Sequence, residues 1–551
     1  MGAMTWTLPA DAAATCPVKV RHAFTPESIL PPPPPLHPYA AAARATAARL
    51  LDEFVAAQPV GSLIDLRPLS HTSQSRREQA CLRAMDAGSA VIVGATLPSD
   101  TIGHRRGTAS ILVRGPNAAD GGPGYLPIQV HGHRLLEARP QHRLLISRFT
   151  APAVPHHLDG VDFRDSRLGD RLELVHLWHM LDAVGHAVAG VRRGGLIGPD
   201  RRGVIAWAPL DHPRVPPNPR GSGSQHLVSP VQRYAEEFAL REGVARAAMA
   251  GEPTEVDPIR IRECEVCPWW PVCRPMLDDD DLSLRIEKGP LDVYEIQALR
   301  SLGIWTTSDL ATADAETLLP LYLELVAHRS DAEQRLNAAT HRAHLLQEGI
   351  ELERTRQGPI SVPSAPVEID LDVEASSDNR VYLWGFLVHD PAAGEPYYHA
   401  FAEFADLDDA AEAELALRAL TWLRDLVTAT GAKVFHYSDY ELVRIAHVAK
   451  TTPALDWAPC FARRHFVDLF PLVRDQFFGV HGLGLKNVAH VGAGFEWRDP
   501  EPGGLNSQTW FHTAVHGPAP SRAAARARVL AYNEDDVRAT WHLRRWMRDL
   551  T

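Results

Sequence analysis

The chain has 551 residues, 45% of them hydrophobic, and a formal net charge of −12. That length allows about three to four domains with packed cores, and the charge excludes a surface that is basic throughout, so any nucleic-acid contact must rest on local arginine patches. No apolar run is long enough to span a bilayer and no charged segment followed by an apolar run opens the chain, so a cytoplasmic protein without a membrane partner is expected.

Pro31 to Pro35 read as a stiff surface spacer, and Tyr39 to Ala56 as an amphipathic helix. Ala90 to Gly94, Ala109 to Val113 and Tyr125 to Val130 read as short strands. The last two are joined by a Gly/Pro/Asn/Asp turn over Gly115 to Gly124. Helices are expected over Leu172 to Val188, Pro230 to Met249 and Ser330 to Leu346, with a helical stretch from Leu291 to Leu319 bent at Gly303-Ile304. Asp278 to Asp281 read as a helix cap and solvated turn. A charged, Gly- and Pro-containing stretch up to residue 365 reads as a linker. Beyond it the order strand (from Glu368), strand (Val381 to Leu387), helix (Ala410 to Ala429), strand (Lys433 to His436) has the texture of an α/β domain.

Five of the 56 basic residues are lysines (19, 288, 433, 450 and 486), so 56 − 5 leaves 51 arginines. Arginine forks suit bidentate phosphate contacts; a GC-rich genome accounts for the same bias, together with the abundant Ala, Pro and Gly. The six cysteines are too few for a disulfide scaffold in a chain of this length. Cys81 and Cys460 read as buried thiols. The run ECEVCPWWPVC sets Cys264, Cys267 and Cys273 at Cys-x2-Cys-x5-Cys spacing, and Cys16 in ATCPVKVR is the candidate fourth ligand. Four thiolates suit an iron–sulfur cluster or zinc, unliganded core thiols being the remaining alternative, and Trp269 and Trp270 would shield such a centre. His176 and His179 in LVHLWHML have near-helical metal spacing, but on a Leu- and Trp-bearing helix packed histidines are the expectation.

The richest chemistry lies near the C-terminus. In VEIDLDVEA, Asp372 and Glu374 are two apart and share one face of a strand while Val373 faces the core. In AYNEDDV, Tyr532 and Asp536 are four apart on one helix face. FHYSDYE offers Glu441, with Asp439 as a substitute, and Lys486 in HGLGLKNVAH could meet a phosphate. Carboxylates drawn from separate elements onto one volume are what two-metal phosphodiester hydrolysis needs, and hard oxygen donors suit Mg²⁺ or Mn²⁺.

These motifs resemble the DEDD-type 3′→5′ exonucleases on an RNase H-like fold, in the branch with a Tyr in the third motif. The resemblance implies catalytic roles for Asp372, Glu374, Glu441, Tyr532 and Asp536, with two Mg²⁺ or Mn²⁺ held chiefly by Asp372, Glu374 and Asp536. Where that group has an Asn five residues before an Asp, this chain has His436 and Glu441. The N-terminal stretches ATCPVKVR, VIVGATLPSD, GHRRGTASILVRG, YLPIQVHGH, LIGPDRRGVIAW and CEVCPWWPVC…DDLSL resemble the RecB/AddB-like (PD-(D/E)XK-type) half of a two-nuclease family. That resemblance implies a [4Fe–4S] staple on Cys16, Cys264, Cys267 and Cys273. It also implies an Asp and a Glu-x-Lys where this chain has Ser110 and Gln129-Val130-His131. No lysine here has an acidic residue two positions before it, so a non-catalytic, strand-guiding domain is expected, with His104, Arg105 and Arg106 as phosphate contacts.

The resulting expectation is an α/β protein in four parts: a RecB-like pseudo-nuclease (1–285), a helical connector resembling a helix–hairpin–helix (286–352), a linker (353–366) and a mixed-sheet RNase H-like exonuclease (367–551). It would act on single-stranded or frayed DNA ends. The alternatives are an RNA-directed exonuclease of the same mechanism and an inactive nucleic-acid-binding partner of a helicase. There is no Walker-type phosphate loop, so any helicase is a separate chain.

Overall fold

The computed structural model describes residues 5–26, 28–32, 38–218, 226–326 and 329–551, the side chains of 38, 39 and 505 excepted. Residues 33–35 of the expected proline spacer and the first four residues lie outside that description. The chain divides into two compact units, Met1–Asp279 with Asp292–Gly303 and Asp314–Glu333, and Asp280–Leu291 with Ile304–Ala313 and Gln334–Thr551. The segment expected as a connector is therefore shared between them. No helix among the described residues is long and apolar enough to cross a membrane.

The first unit is built on an eight-stranded sheet: β1 (Leu63–Asp65), β2 (Val91–Thr96), β3 (Thr108–Arg114), β4 (Tyr125–Val130), β5 (Leu136–Arg148), β6 (His156–Phe163), β7 (Arg193–Ile197) and β8 (Val204–Pro209), in the order β1-β2-β3-β4-β7-β8-β5-β6. Side chains alternate across it. Ile92 and Leu112 join the core under helices Leu168–Ala183 and Pro230–Ala250, while Val91, Val93, Ile111 and Val113 pack on the opposite face with Leu50 and Phe54 of helix Pro38–Ala56. The helix expected to begin at Leu172 starts a turn earlier and stops at Ala183, because Gly185 takes φ +76° just beyond its end. Cys81 is buried as expected; Cys460 is exposed, since only Ala458 and Ala462 of its short helix face inward.

The second unit contains a five-stranded sheet of β10 (Glu368–Ala375), β11 (Val381–His389), β12 (Tyr397–Ala402), β13 (Lys433–His436) and β14 (Phe466–Asp468), ordered β12-β11-β10-β13-β14. β10, β11 and β12 pair antiparallel, whereas β10–β13 and β13–β14 are parallel. The stretch expected to be a linker is anchored here: β9 (Leu352–Arg354) pairs with β15 (Phe477–Gly479), and Ile360 is buried beside Phe477 and Met547.

β10 alternates strictly. Ile369, Leu371 and Val373 enter the core with Leu415, Leu420 and Leu423 of helix Asp409–Thr430. Glu368, Asp370, Asp372 and Glu374 all point the other way, toward the C-terminal helix Ala519–Asp549. Two strand residues advance about 6.6 Å and four helix residues about 6 Å, so a stripe of helix side chains four apart keeps step with the acids. Arg544 forks onto Asp370 at 2.9 Å through both Nε and Nη2 and also pairs with Glu368, which Arg548 joins at 2.7 Å. The other end of the stripe carries Asp536 and Tyr532. Half of the acidic face is thus neutralised by arginine and half is not.

Candidate active site

Asp372, Glu374 and Asp536 each offer an oxygen within 4.8 Å of the others. Glu374 and Asp536 are 6% and 5% exposed, so three carboxylates meet where water screens them poorly. Burial pushes Glu374 from the ordinary 4.5 up to about 8, with Asp536 and Glu441 adding to the rise. Asp372 is likewise raised well above its usual value, by burial first and then by Glu374, Asp536 and Glu441.

Each acid is held by a donor that fixes its orientation. Asn533 Nδ2 donates to Asp372 Oδ2 at 2.6 Å, Ser507 Oγ to Glu374 Oε2 at 2.6 Å, and Trp497 Nε1 to Asp536 Oδ1 at 2.7 Å. Asn533 reaches its place because Gly385 lies opposite Asp372 on β11; a Cβ there would fall 1.6 Å from Asn533 Oδ1. Sequence reasoning did not single out these three donors. Asn533 stood beside Tyr532 in the motif, but Ser507 and Trp497 had no local signal.

Lys486, near the start of helix Leu485–Val491, donates to Tyr532 Oη at 2.9 Å and to Asp536 at 3.2 Å, with its ammonium 5.5 Å from the Trp497 ring centre. Glu441 is buried in the first turn of helix Tyr440–Ala449. Its Oε2 makes no hydrogen bond and stands 3.4 Å from His436 Nδ1, which is itself engaged with the Ser438 carbonyl at 2.6 Å. Ser438 takes φ +78°, and its N–H donates to Asp468 at 2.8 Å, turning the chain from β13 into that helix. Glu441 falls outside the 4.8 Å group but acts on both Asp372 and Glu374 electrostatically. Asp439, its substitute, is exposed.

Three converging carboxylates, each already oriented, plus a buried carboxylate oxygen without a donor, fit small hard divalent cations rather than a thiophilic metal. Alongside lies a cavity of about 340 Å³ lined by Lys486, Trp497, Asn487, His481 and Glu351.

In the first unit Ser110 and Gln129 are brought together and closed on each other. Ser110 donates to Gln129 Oε1 at 2.8 Å through both N and Oγ, and Gln129 Nε2 reaches Glu173. Burial lifts Glu173 to about 7. Arg105, expected to contact phosphate, is spent internally on Asp100 at 2.8 Å and Tyr234 Oη at 3.1 Å, and His104 stacks on Trp6 at 3.9 Å; Arg106 remains exposed. His176 is fully buried between Tyr234 Oη and the Arg106 carbonyl, and burial drives it down to about 3. Cys16, Cys264, Cys267 and Cys273 line one small pocket with Trp269 and Trp270. Among the described residues no three cysteine sulfurs come within 4.8 Å of one another.

Residues 370–548 match the RNase H superfamily, which agrees with the strand order and directions of the second unit. No curated protein and no solved structure matches the chain. The C-terminal unit therefore carries an RNase H-like nuclease domain with an acidic triad suited to divalent metal.

Proposed function

We propose that the protein is a metal-dependent 3′→5′ exonuclease acting on single-stranded or frayed DNA ends. The observation that carries this reading is the meeting of Asp372, Glu374 and Asp536 on an RNase H-like sheet. When bound there, divalent ions supply Lewis acidity and an ionised water at neutral pH. The chain's own groups do the rest. Asp372, Glu374 and Asp536 would hold the ions, and Glu441 completes the negative field. Tyr532 Oη, held by Lys486, orients the attacking water in line with the terminal phosphodiester. Lys486 also balances charge as the phosphate enters. The cavity beside Lys486 and Trp497 is large enough for a terminal nucleotide, and the indole offers a stacking face.

The N-terminal unit is assigned a RecB-like, non-catalytic guiding role. The order of helix Gln74–Asp86, β2, β3, β4, helix Leu168–Ala183 and β7, with the antiparallel β5–β6 pair inserted between β4 and that helix and with β4 and β7 parallel, supports it. So does the loss of acid at Ser110 and Gln129. A [4Fe–4S] cluster on Cys16, Cys264, Cys267 and Cys273 would tie the start of this unit to its end. Burial raises the thiols of Cys16, Cys264 and Cys273, the last to about 11, so ligation would have to ionise them. Iron and labile sulfide in anaerobically purified protein test that assignment; their absence would end it.

The decisive experiment is digestion of end-labelled DNA and RNA oligomers with Mg²⁺, Mn²⁺ or EDTA. Mononucleotides released from the 3′ end of DNA by wild type, and not by Asp372→Ala, are expected. Equal release by the variant would refute the site, faster release from RNA the substrate, and no release by wild type the enzyme.

A further inference from the structure

The first unit carries a second set of metal-type donors that the proposed reaction does not use. His131 and His133 leave the end of β4, and Asp170 faces them from helix Leu168–Ala183; one donor atom from each lies within 4.8 Å of the other two. His133 Nε2 is 2.9 Å from Asp170 Oδ2, and the two imidazoles stack at 4.8 Å. His131 Nε2 is 3.8 Å from Asp170 Oδ1 and 3.9 Å from Glu173 Oε2.

A hydrogen-bonded His–Asp pair accounts for His133 but not for His131. The His131 Nε2 atom is shut off from solvent and has no hydrogen-bond partner. Such an orphaned buried group keeps its desolvation penalty without a compensating bond. As a donor it is too far from either carboxylate; as an acceptor it points a lone pair at two acids. A cation between them reconciles both facts. The turn is also rigidly placed: a Cβ on Gly132 would fall 1.8 Å from the Ala43 carbonyl oxygen of helix Pro38–Ala56, so the residue between the two histidines has no room for a side chain.

We propose that His131, His133 and Asp170 bind one divalent transition ion, Zn²⁺ before Mg²⁺, with Glu173 beside the open position. Two imidazoles and a carboxylate are a borderline-soft set that suits zinc and disfavours magnesium. Ligand bonds of about 2.0–2.2 Å set donors about 3–3.5 Å apart, so the present 2.9 and 3.8 Å spacings need adjustments of less than an ångström. The ion would stand next to the closed Ser110–Gln129 pair. The proposal does not depend on the exonuclease reading.

The test is metal content of the full chain after dialysis against micromolar Zn²⁺. Wild type should retain one more ion per chain than the double variant His131→Gln/His133→Gln, and Asp372→Asn one more than the same double variant made in the Asp372→Asn background. Equal content in wild type and the double variant overturns the proposal. Should the double variant not fold, anomalous scattering at the zinc edge from Zn²⁺-soaked wild-type crystals decides. A peak between His131, His133 and Asp170 upholds the site, and none there overturns it.

Discussion

Replacing Glu374 with Gln should make the metal-free protein more stable while destroying its metal site. Glu374 is pushed from 4.5 in the ordinary state to about 8 in the fold. An acid raised on folding takes up a proton, so the stability it supports is complete below about pH 4.5 and is lost as pH climbs to about 8. At 1.36 kcal/mol per unit, the full shift sets a ceiling of about 4–5 kcal/mol. Sharing of protons with Asp372 brings the expected gain at pH 7.5 to about 2–4 kcal/mol. Gln at this position still accepts from Ser507, so the difference reports charge rather than a lost hydrogen bond. Urea unfolding in EDTA from pH 4 to pH 9 measures it. The variant should gain over wild type as pH rises, and saturating Mn²⁺ should reverse the order by binding wild type alone. A wild-type chain that loses no stability relative to the variant between pH 5 and pH 8 would refute the idea that the acids meet in a desolvated site.

Arg544→Met strands Asp370 in the core, Glu368 keeping Arg548, and should cost about 3–5 kcal/mol, read as a lowered urea midpoint and partly recovered by adding Asp370→Asn. Tyr532→Phe removes the hydroxyl held by Lys486 and should slow mononucleotide release about 10²-fold or more while leaving Mn²⁺ binding by calorimetry unchanged. Gly385→Ala drives a methyl into Asn533, so about 1–3 kcal/mol of stability and the alignment of Asp372 should go together, visible as lost turnover in a chain with native-like circular dichroism. Lys486→Met should weaken oligonucleotide binding and, by removing the cation that holds down the raised Asp372 and Glu374, lower metal-free stability at pH 8 more than at pH 5.

The triad was legible because β10 writes it in period two: acid, apolar, acid, with Tyr532 and Asp536 at a helical interval in a later motif. The same period covers Glu368 and Asp370, yet their structural role was hidden, since Arg544 lies 174 residues from Asp370. Strands β5 and β6 were missed because their sequences, LEARPQHRLLISR and HHLDGVDF, carry polar residues on both faces of a hairpin, half of it exposed. β7 is only five residues and two are glycine. In the first unit the local sequence shows only that Ser110 and Gln129 stand in place of acids and His131 in place of a lysine, and His133, two residues on, carries no local sign that Asp170 faces both.

The stripe on the last helix has a mechanical corollary. Because arginine and aspartate share one row at intervals of a single turn, sliding that helix along β10 by one turn would exchange a quenched acid for an available one. Excising the four residues from Val537 to Thr540 would draw the arginines toward Asp372 and Glu374 and plug the centre with guanidinium, leaving every ligand residue in the chain but silencing it. Phase between two elements, as much as the identity of any side chain, decides which acids on this strand are open for business.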